Sequence, residues 1–372
     1  MSDDQFIQLA LRLARRGQGR TSPNPMVGAV LVKGGQIFGR GWHRRAGGPH
    51  AEIEALRDAQ KRRKIPRGAT MYVTLEPCST QGRTPPCTDA IIAAGIRRVV
   101  VGATDPNPRH AGKGFQLLQR AGIIVVTGIL EAQCTGLNAA FNHWIVHRTP
   151  LVTVKAAMTL DGKIATAGGE SKWITGPKAR AYGMKLRQAS DAILVGINTV
   201  LADDPSLTAR PVQSPKSKVQ SPKPLRRIIL DSRARTPLTA KVVSDEFAAL
   251  TTIVVGPHAP KKRVAALAKK VNVVIAPAKS SAIDLRWLLK KLGAENVTSL
   301  LVEGGGEVNA SFLLGGWAQR VAFFYAPKIL GGRSARRAVA GVGAQTLSEV
   351  IRLREVKWRR LGEDLLLTAV VE

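Results

Sequence analysis

Apolar residues in the first part of the chain recur with two different periods. Phe6, Leu9, Ala10, Leu13 and Ala14 fall at helical spacing, with Arg12, Arg15 and Arg16 off that stripe, which predicts an amphipathic helix. Thr21-Ser-Pro-Asn-Pro25 stops it, because proline has no N–H with which to continue a helix. Residues 27–32 then read as a strand, Lys33-Gly-Gly35 as a turn and residues 36–39 as the return strand. A helix is predicted over 50–61, with Ile53 and Leu56 on its apolar side, and a strand over 70–75. A third helix over 88–94 is closed by Gly95, and residues 98–102 read as a buried strand. Alternation of this kind makes a layered α/β domain.

The pattern restarts near Arg148-Thr-Pro150. Strands are predicted over 151–157, 192–195, 227–230, 252–255, 273–275 and 300–302, and helices over 177–189 and 283–292. Pro177 suits the first turn of its helix, where a missing N–H costs nothing. Several of these strands are continuous apolar runs, as in a sheet covered on both faces. The chain therefore reads as two α/β domains, residues 1–148 and 149–372. Residues 212–224 repeat Val-Gln-Ser-Pro-Lys and read as a solvated loop insertion. The apolar runs are far shorter than the roughly 18 residues of a membrane span. The start, with Ser2, Asp3 and Asp4, lacks the basic and apolar segments of a signal peptide. A cytoplasmic location without a membrane partner is the expectation.

Charge raises a different partner. Lys and Arg number 56 against 26 Asp and Glu, a net charge of +30, which points first to nucleic acid. Residues 1–150 hold 21 basic and 9 acidic residues and residues 151–372 hold 35 and 17, so the excess is not gathered into one arm. Aromatic residues are 5% and do not interleave with the basic ones. The reading is a generally basic solvated surface that attracts phosphorylated small molecules, and no nucleic-acid partner is expected.

Three cysteines are too few for a disulfide scaffold. Cys134 reads as a small buried apolar residue. Cys78 and Cys87 share one polar stretch, and His50-Ala-Glu52 with Glu76-Pro-Cys78 matches the signature of zinc nucleobase deaminases. One imidazole and two thiolates fill three zinc positions and leave the fourth for water, whose pKa the metal lowers. A carboxylate that is not a ligand must then carry the water's proton to the leaving ammonia. His50, Cys78 and Cys87 are thus the predicted Zn²⁺ ligands and Glu52 the proton carrier. Eight residues separate the cysteines where the general signature has two, which argues against a tRNA adenosine or free cytidine deaminase. The inserted Gly82-Arg-Thr-Pro-Pro-Cys87 offers Arg83 to a phosphate, although a surface arginine explains it as well.

Thr21-Ser-Pro-Asn-Pro-Met-Val-Gly28, Gly47-Gly-Pro-His-Ala-Glu52, Thr74-Leu-Glu-Pro-Cys78 and Gly82-Arg-Thr-Pro-Pro-Cys87 together resemble the RibD family of bifunctional riboflavin biosynthesis proteins. That resemblance implies a cytidine-deaminase-like three-layer domain followed by a dihydrofolate-reductase-like α/β domain. It implies a diaminohydroxyphosphoribosylaminopyrimidine deaminase fused to an NADPH-dependent 5-amino-6-(5-phosphoribosylamino)uracil reductase. It also implies that Asn24 and His43 hold the pyrimidine; a homo-oligomer is the expected state of the protein.

In the second half, residues alone offer one site. The strand 300–302 runs into Glu303-Gly-Gly-Gly306 and then into a helical segment from Glu307 to Leu314. Glycines let a ligand approach the backbone, and a helix start offers free N–H groups to a phosphate. This is not Gly-x-Gly-x-x-Gly, so it is not the standard Rossmann fingerprint. Lys155-Ala-Ala-Met-Thr-Leu-Asp-Gly-Lys163, Ser171-Lys-Trp-Ile-Thr175 and Asn198-Thr-Val-Leu-Ala-Asp-Asp-Pro-Ser-Leu-Thr208 resemble the family's reductase motifs. By that matching, Ala157, Trp173, Thr199, Asp203, Ser232, Gly305, Gly306, Glu307, Val308, Asn309, Ala310 and Ser311 would bind NADP. Ser171, Arg187, Leu207, Arg210 and Glu303 would bind substrate, and Lys155 would activate the sugar carbon that receives the hydride. Taken singly, Trp173 reads equally as core, Asp203-Asp204 as a turn before Pro205, and Arg187 as a helix surface charge. Two rivals stand beside the bifunctional reading. One is an RNA-editing deaminase with an RNA-binding domain, and the other a zinc-stapled ligand-binding protein without turnover.

Overall fold

The computed structural model describes residues 1–80, 85–210, 224–277 and 283–372. Arg83 and nearly all of the 212–224 repeat lie outside the described residues. The chain divides into two compact units, Met1–Arg148 and Thr149–Glu372.

The first unit runs α1 (Asp3–Ala14), β1 (Gly28–Lys33), β2 (Gln36–Trp42), α2 (Ala51–Lys61), β3 (Thr70–Leu75), α3 (Cys87–Ala93), β4 (Arg98–Ala103), α4 (Lys113–Arg120), β5 (Ile124–Val126), α5 (Glu131–Leu137) and α6 (Ala139–His147). Its five strands are ordered β2-β1-β3-β4-β5, with the first two junctions antiparallel and the last two parallel. Strand alternation separates two cores. Ala29, Leu31, Met71, Val73, Val99 and Val101 face α2 and α3. Val30, Val32, Tyr72 and Val100 face α1, with Cys134 buried among them. The unit is thus helix, sheet, helix. α1 starts cleanly because Ser2 and Gln5 form a reciprocal capping box, and Asp3 and Asp4 sit at its positive end.

The expected apolar face of α2 is shifted. Ala51, Glu52, Ala55 and Ala59 are buried, while Ile53 and Leu56 are only half-buried. The cause lies in β2, where a Cβ on Gly41 would collide with the Ala51 carbonyl and the Ala55 amide, and one on Gly39 with the Ala55 carbonyl. Only glycine lets the helix lie this close to the strand, and only alanine fits between them. The same approach turns Glu52 inward.

The second unit holds β6 (Leu151–Thr159), β7 (Lys163–Ala165), α7 (Pro177–Ala189), β8 (Ala192–Gly196), α8 (Ile197–Asp203), β9 (Arg226–Leu230), α9 (Lys241–Ser244), β10 (Thr251–Val255) and α10 (Lys261–Ala268). It continues through β11 (Asn272–Ile275), α11 (Leu285–Ala294), β12 (Ser299–Val302), α12 (Gly306–Leu314), β13 (Arg320–Ala326), β14 (Arg336–Arg337), β15 (Leu353–Leu361) and β16 (Asp364–Val371). The nine-stranded sheet is ordered β11-β10-β9-β8-β12-β6-β13-β16-β15, parallel as far as β13 and antiparallel beyond it. β8 and β10 are buried along their whole length between two clusters, one with α11 and α12 and one with α9 and α10. Within β9 the side chain of Arg227, 1% exposed, forks onto Asp245 at 2.7 and 2.8 Å. It also donates to Thr251 Oγ1 and to the carbonyls of Ser206 and Val242.

Candidate active sites

The first site lies where α2 and α3 begin. His50 is the N-cap of α2, still extended after Pro49, so its ring projects before the helix starts. Cys78 follows the end of β3, and Cys87 opens α3. His50 Nδ1 lies 3.5 Å from Cys78 Sγ and 3.3 Å from Cys87 Sγ, and the three donor atoms fall within 4.8 Å of one another. The backbone N–H of Cys87 donates to Cys78 Sγ at 3.3 Å. A hydrogen bond from the Cys87 thiol, together with His50 and that N–H, lowers the pKa of the Cys78 thiol despite its burial and favours the thiolate. A soft, charged sulfur beside a second sulfur and an imidazole is a donor set that suits zinc.

Glu52 stands one step into α2, 3% exposed, and burial raises its pKa above the carboxylate norm. His43 is 2% exposed and its ring meets that of His50 edge-on at 5.4 Å. Burial lowers its pKa, and Pro49 O lies 3.0 Å from its Nδ1. Asn24 Nδ2 lies 3.3 Å from His43 Nε2, so the two predicted pyrimidine-binding residues form one polar pair beside the ligands. Two supports escaped the sequence reading. Glu76 accepts the backbone N–H groups of Asp105, Gly112 and Gly114, pinning the following loop beneath Cys78. Asn138 exchanges both amide bonds with the Met26 backbone at 2.8 and 2.9 Å and fixes the turn that carries Asn24. The Glu-Pro-Cys stretch was a visible signal for the first, whereas nothing in the sequence links position 138 to 26.

In the second unit an open cleft of about 1320 Å³ lies at the carboxyl ends of β6, β8 and β12. Lys155, Ala157, Ser171, Trp173, Arg187, Thr199, Asp203, Leu207, Arg210, Glu303 and Gly305 to Val308 line it. Ser232, Asn309, Ala310 and Ser311 do not. Asn309 is fully buried and donates to Ala338 O, Ala310 is 3% exposed, and Ser311 Oγ donates back to Glu307 O within α12. Ser232 lies after β9, with its carbonyl taken by the Gly256 N–H. Helical geometry explains the exclusion of Asn309 and Ala310, because the first turn of α12 faces the cleft while these two positions are buried.

Glu303 is the electrostatic centre of this cleft. Both its oxygens accept from Arg187 at 2.9 Å, and Lys155 Nζ lies 3.6 Å away. Burial pushes the Glu303 pKa up, but Lys155 and Arg187 outweigh it and hold it at about 2. Arg187 also donates to Thr208 O at 3.1 Å, so it is a committed clamp and not a helix surface charge. Trp173 is 65% exposed, which removes the core reading, and Arg180 stacks over its ring at 4.5 Å. Asp203 accepts from Ser171 Oγ at 3.3 Å. Arg336 and Arg337 also line the cleft and were missed, although Gly331-Gly-Arg-Ser-Ala-Arg-Arg337 is a basic, glycine-rich signal.

A metal-ligating deaminase centre in one unit and a dinucleotide-sized basic cleft in the other define a bifunctional class, a zinc-dependent deaminase joined to a reductase. Residues 1–103 match the cytidine and deoxycytidylate deaminase zinc-binding region, and residues 150–367 match the RibD C-terminal domain. The chain is 43% identical to the riboflavin biosynthesis protein RibD of Actinobacillus pleuropneumoniae, covering 100% of this chain and 96% of that one. Form 1 of Acinetobacter baumannii RibD superposes with a TM-score of 0.86 at 37% identity, covering 100% and 99%. A diaminohydroxyphosphoribosylaminopyrimidine deaminase/5-amino-6-(5-phosphoribosylamino)uracil reductase from Thermotoga maritima gives 0.82 at 34%, again covering 100% and 99%. The chain belongs to the RibD family of riboflavin biosynthesis proteins, and it is an enzyme with deaminase and NADPH-dependent reductase activities. No helix among the described residues is long and apolar enough to cross a membrane.

Proposed function

We propose that residues 1–148 hydrolyse the 2-amino group of 2,5-diamino-6-ribosylamino-4(3H)-pyrimidinone 5′-phosphate, and that residues 149–372 reduce the ribosyl chain of the product to ribityl. The observation that carries the reading is the convergence of His50, Cys78 and Cys87 within 4.8 Å, beside a buried glutamate on the same helix. Zinc, when bound, supplies an open coordination position and makes water acidic enough to deprotonate near neutral pH. Glu52 accepts that proton and returns it to the departing amine, a transfer for which a carboxyl raised by burial is well matched. Asn24 and His43 hold the pyrimidine edge, and Arg83 is assigned to its phosphate.

In the cleft, Ala157, Trp173, Thr199, Asp203 and Gly305 to Val308 are assigned to the cofactor, which brings the hydride. Of the remaining positions of the family match, Asn309 and Ala310 are buried behind that wall. Ser171, Arg187, Leu207, Arg210 and Glu303 are assigned to substrate. Glu303, itself held by Arg187, positions Lys155 toward the sugar carbon that accepts the hydride. Both substrates are phosphate esters, which suits the net charge of +30. A cytoplasmic homo-oligomer with no nucleic-acid partner completes the reading. The test supplies the pyrimidine phosphate with NADPH and follows ammonia release and NADPH oxidation in zinc-loaded protein. Absence of both signals overturns it, and steeply salt-dependent RNA binding with RNA deamination would establish the editing rival instead.

A further inference from the structure

We propose that Arg336 and Arg337 form a clasp for the pyrophosphate of the nicotinamide dinucleotide. The inference rests on reading the second-unit cleft as the dinucleotide site. Most cations on the cleft wall are already committed within the protein. Lys155 and Arg187 are held by Glu303, while Lys172 lies 3.9 Å from Asp203 and Lys241 3.5 Å from Asp204. Arg336 and Arg337 line the same cleft, are exposed, and make no side-chain hydrogen bond or ion pair among the described residues. Two adjacent guanidinium groups left free in a cleft suit a phosphate, which each can grip through two oxygens.

Position decides which phosphate. β14 pairs with β7, and the chain after it is tied down by the Ala338 N–H to Gly162 O at 2.9 Å and the Ala340 N–H to Gly306 O at 3.1 Å. Buried Asn309 holds the same loop through Ala338 O at 2.8 Å. A Cβ on Gly306 would collide with the Arg337 carbonyl, so the Arg337 backbone lies directly against the glycine turn. Gly305 has nothing within 4 Å of its Cβ position, which leaves the turn open to a ligand. The pair therefore stands beside a glycine turn of the cleft that is open to close approach. Arg210, two residues after the Thr208 carbonyl that Arg187 holds, lines the cleft with no side-chain hydrogen bond or ion pair among the described residues and is assigned to the substrate phosphate.

The full-length protein, R336A, R337A, the double alanine variant and the double lysine variant are titrated with NADPH and with NADH by calorimetry at several salt concentrations. Each single change should weaken both dinucleotides by about tenfold and the double change by more. The salt dependence should become shallower, and the lysine pair should recover part of the loss. Substrate KM at saturating NADPH and the rate of deamination should not move. Unchanged affinity for both dinucleotides overturns the clasp. Loss for NADPH alone moves the pair to the 2′-phosphate, and a raised substrate KM alone moves it to the substrate phosphate, either of which overturns it. Failure of the unaltered protein to bind either dinucleotide overturns the reading of the cleft itself.

Discussion

Arg187 takes both carboxylate oxygens of Glu303, each at 2.9 Å. Lys155 Nζ lies 3.6 Å from Oε2 of the same carboxylate. One anion thus sets the position of two cations, from α7 and β6, and stands at the end of β12. Replacing Glu303 by Gln keeps the shape and removes the charge that orders them. NADPH oxidation should fall by roughly a hundredfold, since a small misplacement of a reacting group costs that much. Ammonia release from the other unit should not change, and its loss would show that the variant acts through folding.

The same residue predicts a pH dependence. The folded pKa of Glu303, about 2, is below the ordinary 4.5. A carboxyl depressed in this way stabilises the fold above its unfolded pKa, and the contribution is lost as pH falls through the folded value. Urea midpoints of the wild type and of Glu303→Gln, measured from about pH 6 down to about pH 3, should shift progressively in favour of the glutamine variant. A constant difference across that range would refute the assignment.

Glu52 has no ligand role in the His50, Cys78 and Cys87 set. Glu52→Gln should lose deamination by roughly 10²–10⁴-fold while retaining one zinc per chain by metal analysis. Zinc loss in this variant would mean that the carboxylate helps hold the metal. Deamination near the normal rate would mean that another group moves the proton.

Gly41→Ala tests how α2 is placed. The added methyl would meet the Ala51 carbonyl and the Ala55 amide, and backbone cannot swing aside as a side chain can. The helix that carries Glu52 and starts at His50 must shift, at a cost of about 1–3 kcal/mol. Deamination and zinc affinity should fall together, whereas NADPH oxidation with the deaminated substrate should persist.

Arg227→Ala should destabilise the second unit by about 3–5 kcal/mol, because it strands Asp245 and three acceptors that the guanidinium satisfies. Denaturant unfolding followed by tryptophan fluorescence checks this, since four of the six Trp residues lie in the second unit. A shift below about 1 kcal/mol would show that water replaces the lost bonds.

Legibility followed the strength of local signals. Strands such as β8 and β12 were readable because short continuous apolar runs between turns have few other uses. The strands β13, β15 and β16 were not read. β15 shows why, since Leu-Arg-Glu-Val-Lys-Trp-Arg-Arg-Leu is exposed along nearly its whole length and becomes a strand only by pairing with β16. The buried face of α2 was misjudged for a related reason. Helical spacing favours the large residues Ile53 and Leu56, but two glycines on another strand reward the small ones.

The sequence by itself determined the chemistry of the site: one imidazole, two thiolates and a glutamate two positions from the imidazole, with a cysteine interval that sets this family apart. Those residue types are fixed by what zinc and proton transfer require, so their identity is written in the chain. Tertiary structure alone decided what surrounds them. It brought Asn138 to Met26, set Arg187 on Glu303 across 116 positions, and turned Asn309 and Ala310 away from the cleft. Such pairings depend on sheet order and helix phase, which sum many weak contacts along the chain and leave no mark in any short stretch of it.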